Sequence, residues 1–192
     1  MKRQINLQTR LARGGAAALI MALALPAVAQ EADEPTITPE SDQAQASVTA
    51  EYEDWIVRCQ DAPDDAFGAG ELCEMYQQVS AQETEQTVLE AVIGYPQGAE
   101  QPIALFNLPL GMRLPPGVEL RVGDNDPIGF PVQICLSSGC RADIALDGPL
   151  IEQMRAGTEA TLTIADPQGQ RVRLPLSLMG FSDALDDVEA NR

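Results

Sequence analysis

Residues 117–124, GVELRVGD, alternate strictly: Val118, Leu120 and Val122 fall on one side of an extended chain, Glu119 and Arg121 on the other. A period of two marks a β-strand with one buried and one solvated face. Gly117 opens the run and Gly123–Asp124 close it, as chain reversal with preset or positive φ angles requires. The pattern recurs outward in both directions. DWIVRCQ (54–60) puts Trp55, Val57 and Cys59 on one face, and CEMYQQVSA (73–81) groups Cys73, Met75 and Val79. TVLEAVIGY (87–95) is apolar on both faces except at Glu90, as in a central strand. PIALFNL, FPVQICL, CRADIALD, ATLTIADPQG and QRVRLPLSL supply further strands, separated by the turn signals LPPG, GDNDP, SSG and DPQG.

Two segments read as helices. GPLIEQMRAG (148–157) has Leu150, Ile151 and Met154 at helical spacing between Pro149 and Gly157. SDALDDVEA (182–190) offers Ser182 as N-cap and Asp183 in the first turn. Some eight or nine strands with one or two short helices, no βαβ rhythm and no internal repeat predict a mainly β, antiparallel domain, most simply a sandwich.

The N-terminus has a different composition. Lys2, Arg3, Arg10 and Arg13 precede an apolar run, AAALIMALAL (16–25), too short for a permanent transmembrane helix. Ala27 and Ala29 complete the order of a secretory signal peptide over residues 1–29, with cleavage expected after Ala29. Residues 30–50 contain five carboxylates, two prolines and almost no large apolar group, and are expected to form a flexible acidic leader. The folded domain is expected over 51–192, with no later membrane-spanning segment. Export predicts a periplasmic or secreted protein. Cleavage removes four positive charges and no negative one, taking the formal net charge from −17 to −21. Such acidity excludes nucleic-acid binding and, for the same reason, disfavours anionic membranes.

The chain contains no histidine, and its sole lysine, Lys2, lies in the signal segment. Ser-His-Asp and Cys-His catalysis, His-containing zinc sites, Ser-Lys pairs and Schiff-base chemistry are therefore excluded. No dinucleotide-binding or P-loop motif is present. Adjacent carboxylates such as Asp64–Asp65 or Asp186–Asp187 lack the aromatic-lined trench of a glycosidase, given one Trp, three Tyr and four Phe. The turn GDNDPIG (123–129) carries Asp124, Asn125 and Asp126 without the register of an EF-hand loop, and is read as a solvated Asx turn. No catalytic, cofactor or metal residue is assigned.

Cys59, Cys73, Cys135 and Cys140 lack zinc-knuckle and Cys-x-x-Cys spacings, and export leads to an oxidising compartment. Two structural disulfides follow. Three pairings exist. Cys59–Cys73 with Cys135–Cys140 is expected because each bridges consecutive strands across one loop, the second as a clasp between two strands with apolar residues inward. A long-range pairing between the two clusters is the alternative.

DWIVRC, CEMYQQ, LPLGMRLPPGVELRVGD, the Cys-x4-Cys followed by RADIALDGPLIEQMRAG, and LPLSLMGFSDAL together resemble the invasion-associated locus B family over roughly residues 52–188. The resemblance implies an immunoglobulin-like β-sandwich of an exported alphaproteobacterial protein without known catalysis. Trp55, Cys59, Cys73, Cys135, Cys140 and Gly180–Phe181 match the family pattern and are read as structural. The expected function is a non-enzymatic envelope or interaction protein with an unknown protein partner in the envelope or on a host surface. The alternative is a small periplasmic enzyme, or a redox or ligand-carrier protein using carboxylates or a labile disulfide.

Overall fold

The computed structural model describes residues 46–61, 71–81 and 84–192. The expected signal peptide and most of the expected leader lie outside them. The alternating runs become eleven strands: β1 (Ser47–Tyr52), β2 (Trp55–Asp61), β3 (Glu71–Ser80), β4 (Thr87–Gly94), β5 (Ile103–Leu108), β6 (Val118–Val122), β7 (Ile128–Phe130), β8 (Val132–Leu136), β9 (Gly139–Ala145), β10 (Glu159–Ala165) and β11 (Arg171–Ser177). Two helices, α1 (Gly148–Ala156) and α2 (Phe181–Ala190), complete the described elements. A seven-stranded sheet runs β1-β2-β3-β4-β5-β9-β8 and a four-stranded sheet β11-β10-β6-β7. The fold is mainly β, two antiparallel sheets with two short helices.

The inward side chains of both sheets form one core. Trp55, Val57, Met75, Leu89, Ile93 and Phe106 come from the large sheet, Val118, Leu120, Leu162 and Leu176 from the small one. Helix α2 covers the β1–β4 end of the large sheet with Phe181, Ala184, Leu185 and Val188, which recur at the spacing of one helical face. Phe181 meets Trp55 edge-on at 5.9 Å between centroids. The indole N–H, which needs a partner when buried, donates to the Ser177 carbonyl at 3.0 Å. Helix α1 begins where Asp147 accepts a hydrogen bond from the Leu150 amide, with Pro149 in its first turn, and buries Leu150 and Met154.

Four local expectations are corrected. The leader was expected to reach residue 50, yet β1 starts at Ser47 and pairs with β2, because an edge strand can be held by backbone bonds with little apolar burial. FPVQICL is two strands in different sheets. Phe130 pairs with Val118 and Val132 with Ala142, and the break is Pro131, which has no N–H to continue a ladder. Beyond it a bulge between Val132 and Ile134 flips the following residues, so Ile134 and Leu136 point outward, 50% and 45% exposed. The clasp strand is therefore not apolar-inward.

Finally, Ser182 does not cap α2. Gly180 does, at φ +82° and without a side-chain bond. A Cβ there would lie 2.0 Å from the Tyr52 carbonyl oxygen, so the start of the helix is dictated by the β1–β2 turn pressed against it.

Both disulfides are present, Cys59–Cys73 joining directly opposed residues of β2 and β3, and Cys135–Cys140 joining opposed residues of β8 and β9. One polar side chain enters the core. Gln77, 6% exposed, donates to the carbonyls of Asp54 and Ser177, both at 3.1 Å, and accepts from the Ser177 amide at 2.9 Å. Its amide group thus pairs with Ser177 as a neighbouring strand would, and joins the two sheets. Two residues earlier on β11, Pro175 lacks a donor, so this stretch of sheet edge is closed to further pairing.

Candidate functional site

Because β2–β5 alternate, the large sheet presents a second set of side chains on its outer face. Ile56, Tyr76, Val92 and Leu105 stand in register across four strands. The next row is Arg58, Glu74, Gly94 and Ile103. On the other side lies Gln78, Glu90, Asn107, Arg141 and, at the β8 edge, Ile134. An apolar stripe thus runs between polar rows, and Ile56, Val92, Ile103 and Leu105 are only half-buried.

The polar groups are fixed by one another. Arg58 pairs with Glu74 at 2.6 Å and lies over the Tyr76 ring, 4.3 Å from its centroid. The Tyr76 hydroxyl donates to Glu90 at 3.0 Å, and Asn107 donates to the other Glu90 oxygen at 3.1 Å. Burial, followed by the bond to Glu90, pushes the Tyr76 phenol up to about 12. It is therefore a hydrogen-bond donor, not a nucleophile, at neutral pH.

Gly94 leaves a gap between Glu74 and Ile103. There a groove of about 270 Å³ opens, floored by Leu72, Val92 and Leu105 with Tyr95 at its rim. The volume is at the lower limit of small-molecule pockets and suits one or two anchoring side chains of a partner. Arg192 lies over the Tyr95 ring at 4.6 Å. The stripe meets Asp143 on β9, opposite Leu105, and past Arg141 lies β8, whose residues Gln133–Leu136 are exposed and uncharged on a free sheet edge. Such an edge, lacking charge or internal proline, is open to strand addition.

The other candidates in the sequence do not converge on this face. Asn125 of the GDNDPIG turn donates its amide to the Val122 carbonyl at 2.9 Å, closing the turn locally. Among the described residues no group of three or more Cys, Asp or Glu side chains is placed to hold a metal ion. Cys59, Cys73 and Cys140 point into the core, and only Cys135 is exposed. Asp64 and Asp65 lie outside the described residues. The outer-face stripe escaped sequence reading. Tyr76, Val92 and Leu105 sit at the polar positions of an ordinary half-buried strand, and that was the available signal.

A protein-family model described as Invasion associated locus B (IalB) protein matches residues 55–189. The chain belongs to the IalB family. Among solved structures it is similar to the crystal structure of invasion associated protein B from Bartonella henselae. The two are 21% identical, with 75% of this chain and 96% of that one covered and a TM-score of 0.64. At that identity the likeness establishes the shared IalB fold. No curated protein matches the chain. The family match spans both disulfides, the Trp55–Phe181 contact and the outer-face stripe.

Proposed function

We propose that this IalB family member is an exported, non-enzymatic envelope or interaction protein that binds a protein partner on the outer face of its large sheet. One observation carries the reading. The half-exposed stripe of Ile56, Val92 and Leu105 borders the Gly94 groove, and past Asp143 and Arg141 of β9 the same face ends at a free, uncharged edge strand bearing exposed Ile134 and Leu136. Apolar surface rimmed by fixed polar groups is the arrangement of a protein interface. Supporting it, the chain has no histidine. The charged segment before Ser47 and the order of residues 1–29 support export to the periplasm or beyond. The B. henselae protein is described as invasion associated, so the partner is sought on host cells as well as in the bacterial envelope.

The test is affinity capture from the bacterium's own envelope and from host-cell membranes, using the chain beside Leu105→Arg and Ile134→Asp variants of unchanged melting temperature. A protein retained by the parent and lost from both variants supports the reading. Equal retention by all three, or retention by none, removes it.

A further inference from the structure

The small sheet has an outer face of the opposite character. The described residues contain eight arginines, and four of them, Arg113, Arg121, Arg171 and Arg173, lie on that face. Arg171 and Arg113 flank Ala165 on opposite sides, Arg173 and Glu119 flank Thr163, and Arg121 stands beside Thr161. Glu119 is bonded to Arg171, which holds its carboxyl below the usual carboxylate range. Arg113, Arg121 and Arg173 form no ion pair with any described residue. From strand spacing and rise, the four guanidinium anchors fall within about 10 by 14 Å. Glu159 stands exposed at the far end of β10 on the same face, and with Glu119 it leaves the four arginines in excess, a positive plane on a chain whose formal net charge is −17.

A second observation lies beside it. The loop between β5 and β6 is tied to the rim of this sheet by the Arg113 amide, which donates to the Ala165 carbonyl at 2.8 Å. On either side of Arg113 in that loop, Leu110 and Leu114 are 55% and 48% exposed. Residues 108–118 contain no carboxylate. A small anion would call for a concave site, and a soluble polyanion gains nothing from exposed leucines. Guanidinium groups in a plane next to a leucine-bearing loop match the two layers of a lipid surface, anionic headgroups and the acyl boundary beneath them.

We infer that the β6–β10–β11 face and the loop at 109–117 dock this protein peripherally on an anionic phospholipid bilayer. Overall acidity does not oppose this. Salt screens charges beyond about 8 Å at physiological ionic strength, and the outer face of the large sheet is farther away than that, since packed sheets alone lie about 10 Å apart. Docking by the small sheet leaves the large sheet facing away from the membrane, free for a protein partner.

The experiment is flotation of the purified chain with vesicles of phosphatidylcholine alone or mixed with phosphatidylglycerol, at several salt concentrations. Binding is expected to the mixed vesicles only and to weaken as salt rises. At about fivefold per arginine near the surface, Arg121→Glu with Arg173→Glu should lower partitioning at least about 25-fold. Arg141→Glu on the opposite face serves as a charge-reversal control, to be set beside Arg121→Glu alone, and should leave it unchanged. Leu110→Ser with Leu114→Ser should weaken binding without altering its salt dependence. Equal binding to both vesicle types, or insensitivity to the Arg121/Arg173 pair, overturns the proposal. So does binding to dextran sulfate, or to an acidic protein from the envelope, that survives the leucine substitutions and outcompetes vesicles. Loss of the partner in the capture experiment above, with vesicle binding intact, would discredit the large-sheet reading and leave this one standing.

Discussion

Gln77→Ala tests whether one side chain joins the two sheets. The substitution deletes three hydrogen bonds, to the Asp54 carbonyl, the Ser177 carbonyl and the Ser177 amide. The Ser177 carbonyl keeps the Trp55 indole N–H, so two backbone groups, Asp54 C=O and Ser177 N–H, lose the partner that the structure gives them. Each buried orphan costs about 1–3 kcal/mol, and partial access to water puts these two at the lower end. Adding the void left by a truncated, 6% exposed side chain, we expect a loss of about 3 kcal/mol. For a domain of this size that lowers Tm by roughly 6–12 °C. The measurement is thermal and denaturant unfolding with the disulfides kept oxidised. Gln77→Glu is the companion variant. Its ionised carboxylate cannot donate to either carbonyl, so it should be at least as unstable as the alanine at neutral pH. A loss below about 1 kcal/mol for Gln77→Ala would refute the reasoning, since a single net hydrogen bond is already worth that much.

Three further outcomes follow from the same structure. Gly180→Ala should be strongly destabilising, by more than the ~1 kcal/mol of a left-handed alanine, because its Cβ would meet the Tyr52 carbonyl oxygen; a near-neutral result in unfolding experiments would contradict that contact. Cys135→Ser with Cys140→Ser should cost about 2 kcal/mol and Cys59→Ser with Cys73→Ser about 3 kcal/mol, following loop length, with the order read from denaturant midpoints. The Tyr76 phenol, raised to about 12 from its ordinary 10.0, favours the fold in its protonated form. That contribution is complete below pH 10 and lost as pH climbs through about 12, so Tyr76→Phe should flatten the alkaline limb of the stability curve and remove the last of the three tyrosine steps in the phenolate absorbance.

Local signals were enough to read the fold class, the inward residues of β2 and β6, helix α1, and the pairing of neighbouring cysteines. Each is a local signal: a strand's two faces, a Pro and a Gly bracketing a short helix, two thiols across one loop. The absence of histidine is legible in the same way, and by itself it eliminates whole classes of chemistry. What failed was non-local. Pro131 reads as a residue within a strand until the two halves are seen in different sheets, and the bulge after Val132 reverses Ile134 and Leu136 without leaving a mark on composition. Ser182 looks like a cap because the competing requirement at Gly180 comes from Tyr52, far away in sequence.

The two surfaces that bear on function divide in the same way. Net charge is a sum over the chain, and it predicts a uniformly acidic molecule. Only the tertiary structure decides where the charges go, and strand register gathers Arg113, Arg121, Arg171 and Arg173 from three separate segments onto one face. Tyr76, Val92 and Leu105 become a stripe because antiparallel pairing aligns them across strands. The physical reason is common to all of these. Backbone periodicity is set residue by residue and is written in the sequence, whereas adjacency across a sheet depends on register, and register is settled only when the whole core packs.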